Sequence, residues 1–374
     1  MRKRTLGRSG LTVPVIGQGT AGYDTRGAAG ARACEQALRR GVDLGMRLVD
    51  SAPAYGAGAA EEAIGRALGG VRAEVVLATK FGPEASAPDA LVASVEASLR
   101  RLQTDRVDLL QMHWPSYDVP LDETLEAMAG LVAAGKVRAL GLGNCTAAEA
   151  RRALASPAGR YLVALQQEYS LLERTVEDGV LALCRAHDLT LIAYSPLACG
   201  RLPAAGPGAA TLAAVARAYG ASAAQVMLAW LVADTRVVAI PKAAAAAHAR
   251  ENAAAGDLIL TPADRARLAA AFHVERRRLE PDRVVVEAEA GRAAYTTLAE
   301  ARANPLGLVP GPAELAARMA DGELLKPIKV QPLAGGGRFR LVDGRTRYWA
   351  WVIAHGNAPI PAIVTGAAGA KEVA

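Results

Sequence analysis

The chain has 374 residues, of which 52% are hydrophobic and 4% aromatic, and its formal net charge is +6. This length exceeds what one typical domain needs and predicts two domains. The scarcity of aromatic side chains argues against a stacking surface for single-stranded nucleic acid. The dispersed charge argues against an electrostatic nucleic-acid site.

Signals for targeting and for metal binding are weak along the whole sequence. The basic N-terminus is followed by an apolar run that is too short, and too broken by Pro and Gly, for a signal peptide. No apolar run reaches the length of a membrane span. The four cysteines form neither a CxxC pair nor a Cys/His cluster, so no metal site is expected. Reduced thiols of this kind are typical of a cytoplasmic protein.

Residues 1–275 alternate between short apolar runs of strand type and Ala-rich amphipathic segments of helix type. The eight predicted strands lie at 15–19, 47–50, 74–79, 107–112, 137–143, 161–167, 189–195 and 236–240. Eight β units separated by helices indicate a parallel sheet with right-handed crossovers, and this number in roughly 250 residues is typical of a (β/α)8 TIM barrel. A doubly wound sheet is the alternative, but the glycine-rich nucleotide turn expected after its first strand is missing.

The pattern changes at about residue 281, where a smaller α+β sequence begins. Its predicted elements are strands at 282–289, 326–333, 339–344 and 359–365 and helices at 313–325 and 345–356. We therefore divide the chain into a barrel at 1–278, an α+β domain at 279–366 and a frayed tail at 367–374. The dense run Arg276–Arg278 is interpreted as a solvated helix end or linker, with nucleic-acid contact as the alternative.

Each predicted barrel strand ends in a group that includes a polar residue. These groups are Gly19 with Thr20, Asp50, Lys80, His113, Asn144, Gln166, Tyr194 and Pro241 with Lys242. The functional face of a TIM barrel is the face where its strands end. We therefore expect these side chains to meet around one barrel mouth.

Four residues near these strand ends form a chemically compatible set. A free tyrosine has a pKa of about 10, which is too high for efficient acid or base chemistry at neutral pH. The ammonium of Lys80 can lower the pKa of Tyr55 if Asp50 holds Lys80 in place. His113 can donate a hydrogen bond to a substrate oxygen. Each residue alone has a structural interpretation, but together they predict a proton-transfer site.

Residues 1 to about 275 resemble an aldo-keto reductase. The resemblance rests on the motifs LVDSAPAYG, LATKFG, LLQMHWP, GLGNC, LQQEYSLL, IAYSPLACGRL and IPKAAAAAHARENAAA, which occur in the family's order. It implies that Tyr55 is a general acid and that Lys80 and Asp50 lower its pKa. It also implies that His113 orients the carbonyl group of a small-molecule aldehyde or ketone. Trp114 is predicted to wall the substrate pocket, with core packing as the alternative.

The same resemblance implies a nicotinamide cofactor that binds across the barrel mouth without a Rossmann domain. Asn144 and Gln166 would hold the carboxamide, and Tyr194 would stack on the nicotinamide ring. The other implied cofactor contacts are Gly19, Thr20 and Asp50 at the mouth, Ser195 and Leu197 along the pyrophosphate, and Lys242, His248, Glu251 and Asn252 toward the adenosine end.

The sequence departs from the family's pattern around two of these cofactor contacts. Gly143 stands where a Ser often precedes the asparagine, which removes one hydrogen bond. Ala243 replaces the usual Ser or Thr after Lys242, and His248 stands where an Arg is common. Lys242 still offers a cation for a 2′-phosphate, so we expect NADPH rather than NADH.

Gly344, Arg345 and Arg347 open the helix predicted at 345–356. A helix start with two arginines suits an anion, and an ordinary surface helix is the alternative. Residues from roughly 285 to 365 resemble the ParB N-terminal/sulfiredoxin-like fold, with Gly344, Arg347 and Tyr348 agreeing with its turn. The glutamate of partition proteins and the redox cysteine of sulfiredoxins are replaced, which argues against both activities. Nucleotide or phosphate binding, kinase-like chemistry or a structural cap are the remaining roles.

Two alternative functions stay open for the whole chain. One is a nicotinamide-sensing regulatory protein, in which the barrel binds its cofactor without turnover. The other is a bifunctional enzyme, in which the second domain binds or phosphorylates the compound that the barrel reduces. The intact proton-transfer set argues against sensing alone, because sensing needs no acid.

Overall fold

A computed structural model of the chain describes residues 1–23, 25, 27–116, 118–201, 206–287, 295–308, 310–319 and 326–365. The chain divides into two compact units, Met1–Phe272 and His273–Ala374. The tail predicted at 367–374 lies outside the described residues, as do the last residues of the strand predicted at 282–289 and of the helix predicted at 313–325.

The first unit contains a short hairpin followed by a parallel sheet. The hairpin pairs β1 (Lys3–Thr5) with β2 (Thr12–Pro14). The parallel strands are β3 (Gln18–Gly19), β4 (Leu48–Asp50), β5 (Val76–Phe81), β6 (Val107–Met112), β7 (Val137–Gly143), β8 (Leu162–Glu168), β9 (Thr190–Tyr194) and β10 (Val237–Ala239). Each pairs with the next in chain order. Bridges from Ile16 to Ala239 and from Gly19 to Lys242 join the first strand to the last. The predicted eight-stranded barrel is therefore confirmed.

The barrel strands are apolar along their whole length because both of their faces are covered. All six residues of β6 are buried, as expected for a strand of a parallel sheet with helices outside and side chains inside. Leu6, Leu11 and Val13 of the hairpin belong to the same buried cluster as strand residues such as Leu109. The hairpin thus covers the end of the barrel where the strands begin.

Helices follow the strands and pack on the outside of the barrel. They are α1 (Ala28–Asp43), α2 (Ala59–Leu68), α3 (Pro88–Leu102), α4 (Leu121–Ala133), α5 (Ala147–Ala155), α6 (Val180–Ala186), α7 (Pro207–Ala218), α8 (Ala223–Leu231), α9 (Ala246–Ala255) and α10 (Pro262–Ala271). In α3 the buried residues include Leu91, Val95, Leu99 and Leu102. This spacing of three or four residues places them on one helix face, which contacts the sheet.

Within the described ranges, no single helix is long and apolar enough to cross a membrane. Two consecutive helical segments, Gly208–Ala218 and Ala223–Leu231, reach the required length and hydropathy together, but the chain bends by 93° between them.

The second unit is a small α+β structure. Its elements are β11 (Glu275–Leu279), β12 (Val284–Val285), α11 (Leu298–Ala303), α12 (Pro312–Arg318), β13 (Ile328–Pro332), β14 (Phe339–Asp343), α13 (Arg345–His355) and β15 (Ile360–Val364). The strands form one mixed sheet in the order β11-β15-β13-β14-β12. Ile328, Leu341, Trp349 and Trp351 are buried in one cluster between the sheet and the helices.

The interpretation of Arg276–Arg278 as a helix end or linker is wrong. These residues lie in β11, which pairs antiparallel with β15 from Glu275 opposite Val364 to Leu279 opposite Ile360. Because β11 stands at one end of the sheet order, its charged side chains occupy an edge strand. Charged edge strands are common, since charge discourages unwanted pairing with other chains.

Candidate active site

A cavity of about 680 Å³ opens where the barrel strands end. The predicted site residues that line it are Gly19, Thr20, Asp50, Tyr55, His113, Asn144, Gln166, Tyr194, Ser195, Leu197, Lys242, His248, Glu251 and Asn252. Trp114 also lines it and is 40% exposed, so the alternative of core packing is excluded for this residue. Lys80 lies beneath the cavity floor with 2% of its surface exposed.

The structure brings Asp50, Tyr55 and Lys80 into direct contact. Asp50 is the last residue of β4 and Lys80 lies near the end of β5, its neighbour in the sheet. The Lys80 ammonium donates to Asp50 Oδ2, to the Ser51 carbonyl at 2.9 Å and to the Tyr55 hydroxyl at 3.3 Å. After Tyr55 the chain turns sharply, with positive φ angles of 62° at Gly56 and 52° at Ala57. This turn holds the phenol over the lysine.

A buried pair of amides holds the other oxygen of Asp50. Oδ1 accepts from Gln111 Nε2 at 2.9 Å and from Gln166 Nε2 at 2.8 Å. Gln166 Nε2 also donates to Gln111 Oε1 at 3.0 Å. Both amide protons of Gln166 are therefore engaged, which leaves its carbonyl oxygen for a ligand in the cavity. Sequence reasoning missed Gln111, although a glutamine inside the apolar run LLQM was a signal of an inward-facing polar group.

A second chain of hydrogen bonds links His113, Asn144 and Tyr194. The Tyr194 hydroxyl donates to Asn144 Oδ1 at 2.8 Å, and Asn144 Nδ2 donates to the His113 carbonyl at 2.9 Å. The His113 ring meets the Tyr55 ring edge to face, with centroids 5.7 Å apart and planes at 87°. The Tyr194 ring is thus anchored through Asn144, and the His113 and Tyr55 rings pack against each other.

Glycine at position 143 has a steric reason in this structure. A Cβ at Gly143 would lie 2.8 Å from the Met112 carbonyl oxygen and 2.9 Å from that of His113. Both contacts are with backbone atoms, so a serine here would require β6 and β7 to shift apart. Glycine rather than serine at position 143 therefore allows the ends of β6 and β7 to approach closely beside His113.

Burial dominates the acid–base properties of the site. Burial raises the pKa of Tyr55 above its ordinary value, and the charge of Lys80 opposes this rise without cancelling it. The expected lowering of the Tyr55 pKa by Lys80 is present, but desolvation of the phenolate outweighs it, so the net shift of this pKa is upward. Burial lowers the pKa of Lys80, but Asp50 and Tyr55 together outweigh burial and raise it.

His113 is neutral at physiological pH. Burial and then the charge of Lys80 lower the pKa of His113 to about 4, and Asp50 opposes this shift only in part. A neutral imidazole carries one N–H, which can donate to an uncharged carbonyl oxygen. His113 is therefore suited to orient such an oxygen rather than to supply a positive charge.

The far end of the cavity carries the other predicted cofactor contacts. The exposed Lys242 ammonium donates to the Gly22 carbonyl at 3.1 Å, and Asn252 Nδ2 donates to the Lys242 carbonyl at 3.5 Å. Glu251 accepts from Ser222 at 2.5 Å. Ser195 has a positive φ of 46°, in the left-handed region that non-glycine residues adopt uncommonly.

The predicted residues of the second unit lie together at the start of α13. Gly344 precedes the helix with a φ of 93°, and Arg345 and Arg347 occupy its first turn. Arg347 forms an ion pair with Asp343 at 3.3 Å. Tyr348, which matches the turn of the ParB-like fold, has a structural role in this unit. Its buried hydroxyl donates to the Pro281 carbonyl at 2.9 Å.

Across the described ranges, no group of three or more His, Cys, Asp or Glu residues could hold a metal ion. A closed parallel barrel with Asp50, Lys80 and Tyr55 in contact where its strands end is typical of a barrel enzyme. The sequence profile of the Aldo/keto reductase family matches residues 15–272. The chain therefore belongs to this family and is an oxidoreductase.

Individual relatives agree with this assignment. Methylglyoxal reductase YeaE of Escherichia coli (strain K12) is 38% identical over 274 residues, which make up 73% of this chain and 96% of that protein. The crystal structure of an aldo/keto reductase from Klebsiella pneumoniae in complex with NADP and acetate has a TM-score of 0.69 at 38% identity, covering 72% of this chain and 96% of that one. A crystal structure of an aldo-keto reductase from the same organism in complex with NADPH has the same TM-score and identity, covering 73% and 96%.

Proposed function

We propose that the first unit catalyses the NADPH-dependent reduction of an aldehyde or ketone, or the reverse oxidation. The observation that carries this proposal is the contact of the Lys80 ammonium with both Asp50 and the Tyr55 hydroxyl beneath the cavity. Family membership supports the reaction type. The relative named as a methylglyoxal reductase supports a small carbonyl compound as the substrate.

The cavity suits a nicotinamide dinucleotide. Its volume of about 680 Å³ lies in the usual range for ligand pockets. The free carbonyl oxygen of Gln166 can accept from a carboxamide, and the Tyr194 ring is anchored through Asn144. The complete set of proposed cofactor contacts is Gly19, Thr20, Asp50, Asn144, Gln166, Tyr194, Ser195, Leu197, Lys242, His248, Glu251 and Asn252. When bound, NADPH supplies the hydride.

The preference for NADPH over NADH rests on Lys242. Its ammonium is exposed and is held by the neutral carbonyl of Gly22, so the positive charge can be offered to a phosphate. The complexes of solved relatives with NADP and NADPH support the same choice. Comparing the dissociation constants of the two cofactors tests this proposal, and tighter binding of NADH would contradict it.

The residues beneath the cavity divide the proton chemistry among them. Tyr55 is protonated at neutral pH, since even an unperturbed phenol has a pKa of about 10, and its hydroxyl can donate a proton to the carbonyl oxygen of the substrate. The Lys80 ammonium stabilises the phenolate that results, and Asp50 holds the ammonium in place. The neutral imidazole of His113 donates to the same carbonyl oxygen and orients it.

Replacing Tyr55 with Phe tests the proposed reaction. The variant loses the proton donor but keeps the ring, so we expect kcat to fall by about 10²-fold or more while NADPH still binds. The measurements are NADPH oxidation with a panel of aldehydes and NADPH binding by fluorescence. Tyr219→Phe, at a tyrosine outside the cavity, serves as the control. Undiminished turnover in Tyr55→Phe would refute the assignment, and tight NADPH binding with a silent panel in the wild type would favour the sensing alternative.

For the second unit we propose a ParB-like fold that binds a nucleotide or phosphate group at Gly344, Arg345 and Arg347. The support is the pair of arginines in the first turn of α13 beside a left-handed glycine. Calorimetry of the full chain with ATP, ADP and CTP tests this proposal, with Arg345→Gln as the variant and Arg302→Gln, at an exposed arginine of α11, as the control. CTP is the most informative ligand because it lacks the adenosine of the cofactor. Absence of heat with all three nucleotides would refute this role.

A further inference from the structure

A second cleft of the first unit lies at the opposite end of the barrel strands from Tyr55. Its volume is about 210 Å³. It is lined by Arg138 near the start of β7, by Arg8 in the loop between β1 and β2, and by Arg160 and Tyr161 in a short turn that leads into β8. We call it the arginine cleft after Arg8, Arg138 and Arg160.

Two of the three arginines of the arginine cleft, Arg8 and Arg160, form no ion pair with an acidic side chain among the described residues. Among the described residues that line the cleft there are three arginines and no Asp or Glu. Arg138 pairs with the buried Asp108 at 2.9 Å, but Asp108 also pairs with Arg72 at 3.0 Å and accepts from the Leu77 backbone N–H. One carboxylate is therefore shared by two guanidinium groups. The cleft therefore carries the charge of Arg8 and Arg160 and part of that of Arg138, which favours an anion there.

Two of the three arginines are held in position by neutral groups. Arg8 donates to the backbone carbonyls of Gly159 and Leu162, and the Arg160 guanidinium lies over the Tyr161 ring at 4.7 Å from its centroid. Such contacts restrict the side chains without neutralising their charge. Arg8 and Arg160 are thus partly ordered before a ligand binds. Less conformational entropy is lost on binding, which favours binding of an anion.

We propose that the arginine cleft binds a phosphate group. Guanidinium groups bind tetrahedral oxyanions through paired N–H donors, and the small volume admits one such group rather than a long polyanion. The phosphate is either a free ion or the end of a small phosphate ester. Because the cleft and the Tyr55 cavity lie at opposite ends of the barrel, this ligand is distinct from cofactor and carbonyl substrate.

Isothermal titration calorimetry of the full chain tests the proposal with two probes, inorganic phosphate and glycerol 3-phosphate. Ionic strength is kept constant with sodium chloride, since exposed charges are screened by salt. We expect at least one probe to bind with a dissociation constant of about 1 mM or lower. Arg160→Gln is expected to weaken binding about tenfold, and the double variant Arg8→Gln/Arg160→Gln is expected to abolish it.

The titrations use the full chain carrying Arg345→Gln, so that the site proposed at the start of α13 does not contribute, and two controls separate this cleft from other cationic sites. Arg217→Gln changes an exposed arginine of α7 and is expected to leave phosphate binding unchanged. Lys242→Ala removes the cation of the first cavity and is also expected to leave it unchanged. Thermal unfolding verifies that each variant is folded, and Arg160→Gln keeps the test valid if loss of the Arg8 contacts unfolds the double variant. Binding that is lost in Lys242→Ala but kept in Arg160→Gln would overturn the proposal, as would absence of heat with both probes.

Discussion

His113 illustrates how one buried side chain links the site to protein stability. Its pKa is lowered to about 4 in the folded chain, whereas an unfolded histidine titrates near 6.5. Between these two values the unfolded state binds more protons than the folded state. His113 therefore stabilises the fold fully above about pH 6.5 and less as the pH falls toward 4, by up to about 1.4 kcal/mol per pH unit.

We predict that the free energy of unfolding of His113→Gln depends less on pH between pH 6.5 and pH 4 than that of the wild type. The variant cannot take up the proton, so its urea midpoint is expected to fall less than that of the wild type between pH 7 and pH 4.5. His187→Gln, at an exposed histidine outside the cavity, is the control and is expected to follow the wild type. If the urea midpoint fell equally between pH 7 and pH 4.5 in the wild type and in His113→Gln, groups other than His113 would cause the loss of stability in acid.

Gln111 is expected to position both the acid and the cofactor contact. In Gln111→Met the donor to Asp50 and the acceptor for Gln166 are lost while the volume is kept. A buried polar group left without its partner costs about 1–3 kcal/mol, so we expect NADPH affinity and kcat to fall about tenfold or more. Gln167→Met is the matched control, since Gln167 is equally buried but donates to the Cys145 carbonyl. Equal losses of NADPH affinity and kcat in both variants would indicate a general packing defect.

The residues of the site differed in how far the sequence could reveal them. Asp50, Tyr55, Lys80 and His113 were predicted because each lies at or just past a strand end, and the structure brings them together. Gln111 was missed because it lies within an apolar strand, where its pairing with Asp50 depends on neighbouring strands. The lowering of the Tyr55 pKa by Lys80 was predicted, but the larger effect of burial was not, since depth of burial is a property of the folded barrel.

At the scale of elements, two helical glycines make a matched pair. A Cβ on Gly65 of α2 would lie 2.5 Å from the Arg101 carbonyl oxygen of α3, whereas a Cβ on the exposed Gly130 of α4 meets no atom within 4 Å. We predict that Gly65→Ala destabilises the chain by about 1–3 kcal/mol through overpacking. Gly130→Ala should instead stabilise it by about 0.5–1 kcal/mol, because alanine favours helix. Urea midpoints measure both, and equal shifts would show that α2 and α3 are not closely packed.

The barrel strands could be predicted because their apolar runs carry a strong local signal. The hairpin of β1 and β2 was not predicted, since each strand has three residues and the pairing depends on Leu6, Leu11 and Val13 meeting the barrel interior. Strand β11 was missed for a different reason. Its sequence ERRRL has one buried residue, Leu279, and it becomes a strand through backbone pairing with β15.

At the scale of the whole molecule, each unit has its own buried core. The largest cluster of the first unit comprises residues between Val15 and Ala255, and that of the second unit comprises residues between Leu279 and Ala362. Separate cores are typical of separately folding domains. The sequence pattern places the boundary after residue 278, whereas the compact units divide between Phe272 and His273. The difference is the segment that contains β11.

This segment makes the boundary testable. A fragment of residues 273–374 keeps all of β11, whereas a fragment of residues 279–374 keeps Leu279 and loses the backbone pairs from Glu275 to Arg278 with β15. Loss of these pairs leaves backbone groups of β15 unpaired and exposes Ala362 and Ile363 beside them, both buried in the full chain. We therefore predict a lower urea midpoint and weaker far-ultraviolet circular dichroism for the shorter fragment. A variant of the longer fragment with Arg277→Gln, which keeps the backbone, is the control and should resemble its parent. Equal midpoints for the two fragments would show that β11 adds nothing to the second unit and would favour the boundary after residue 278.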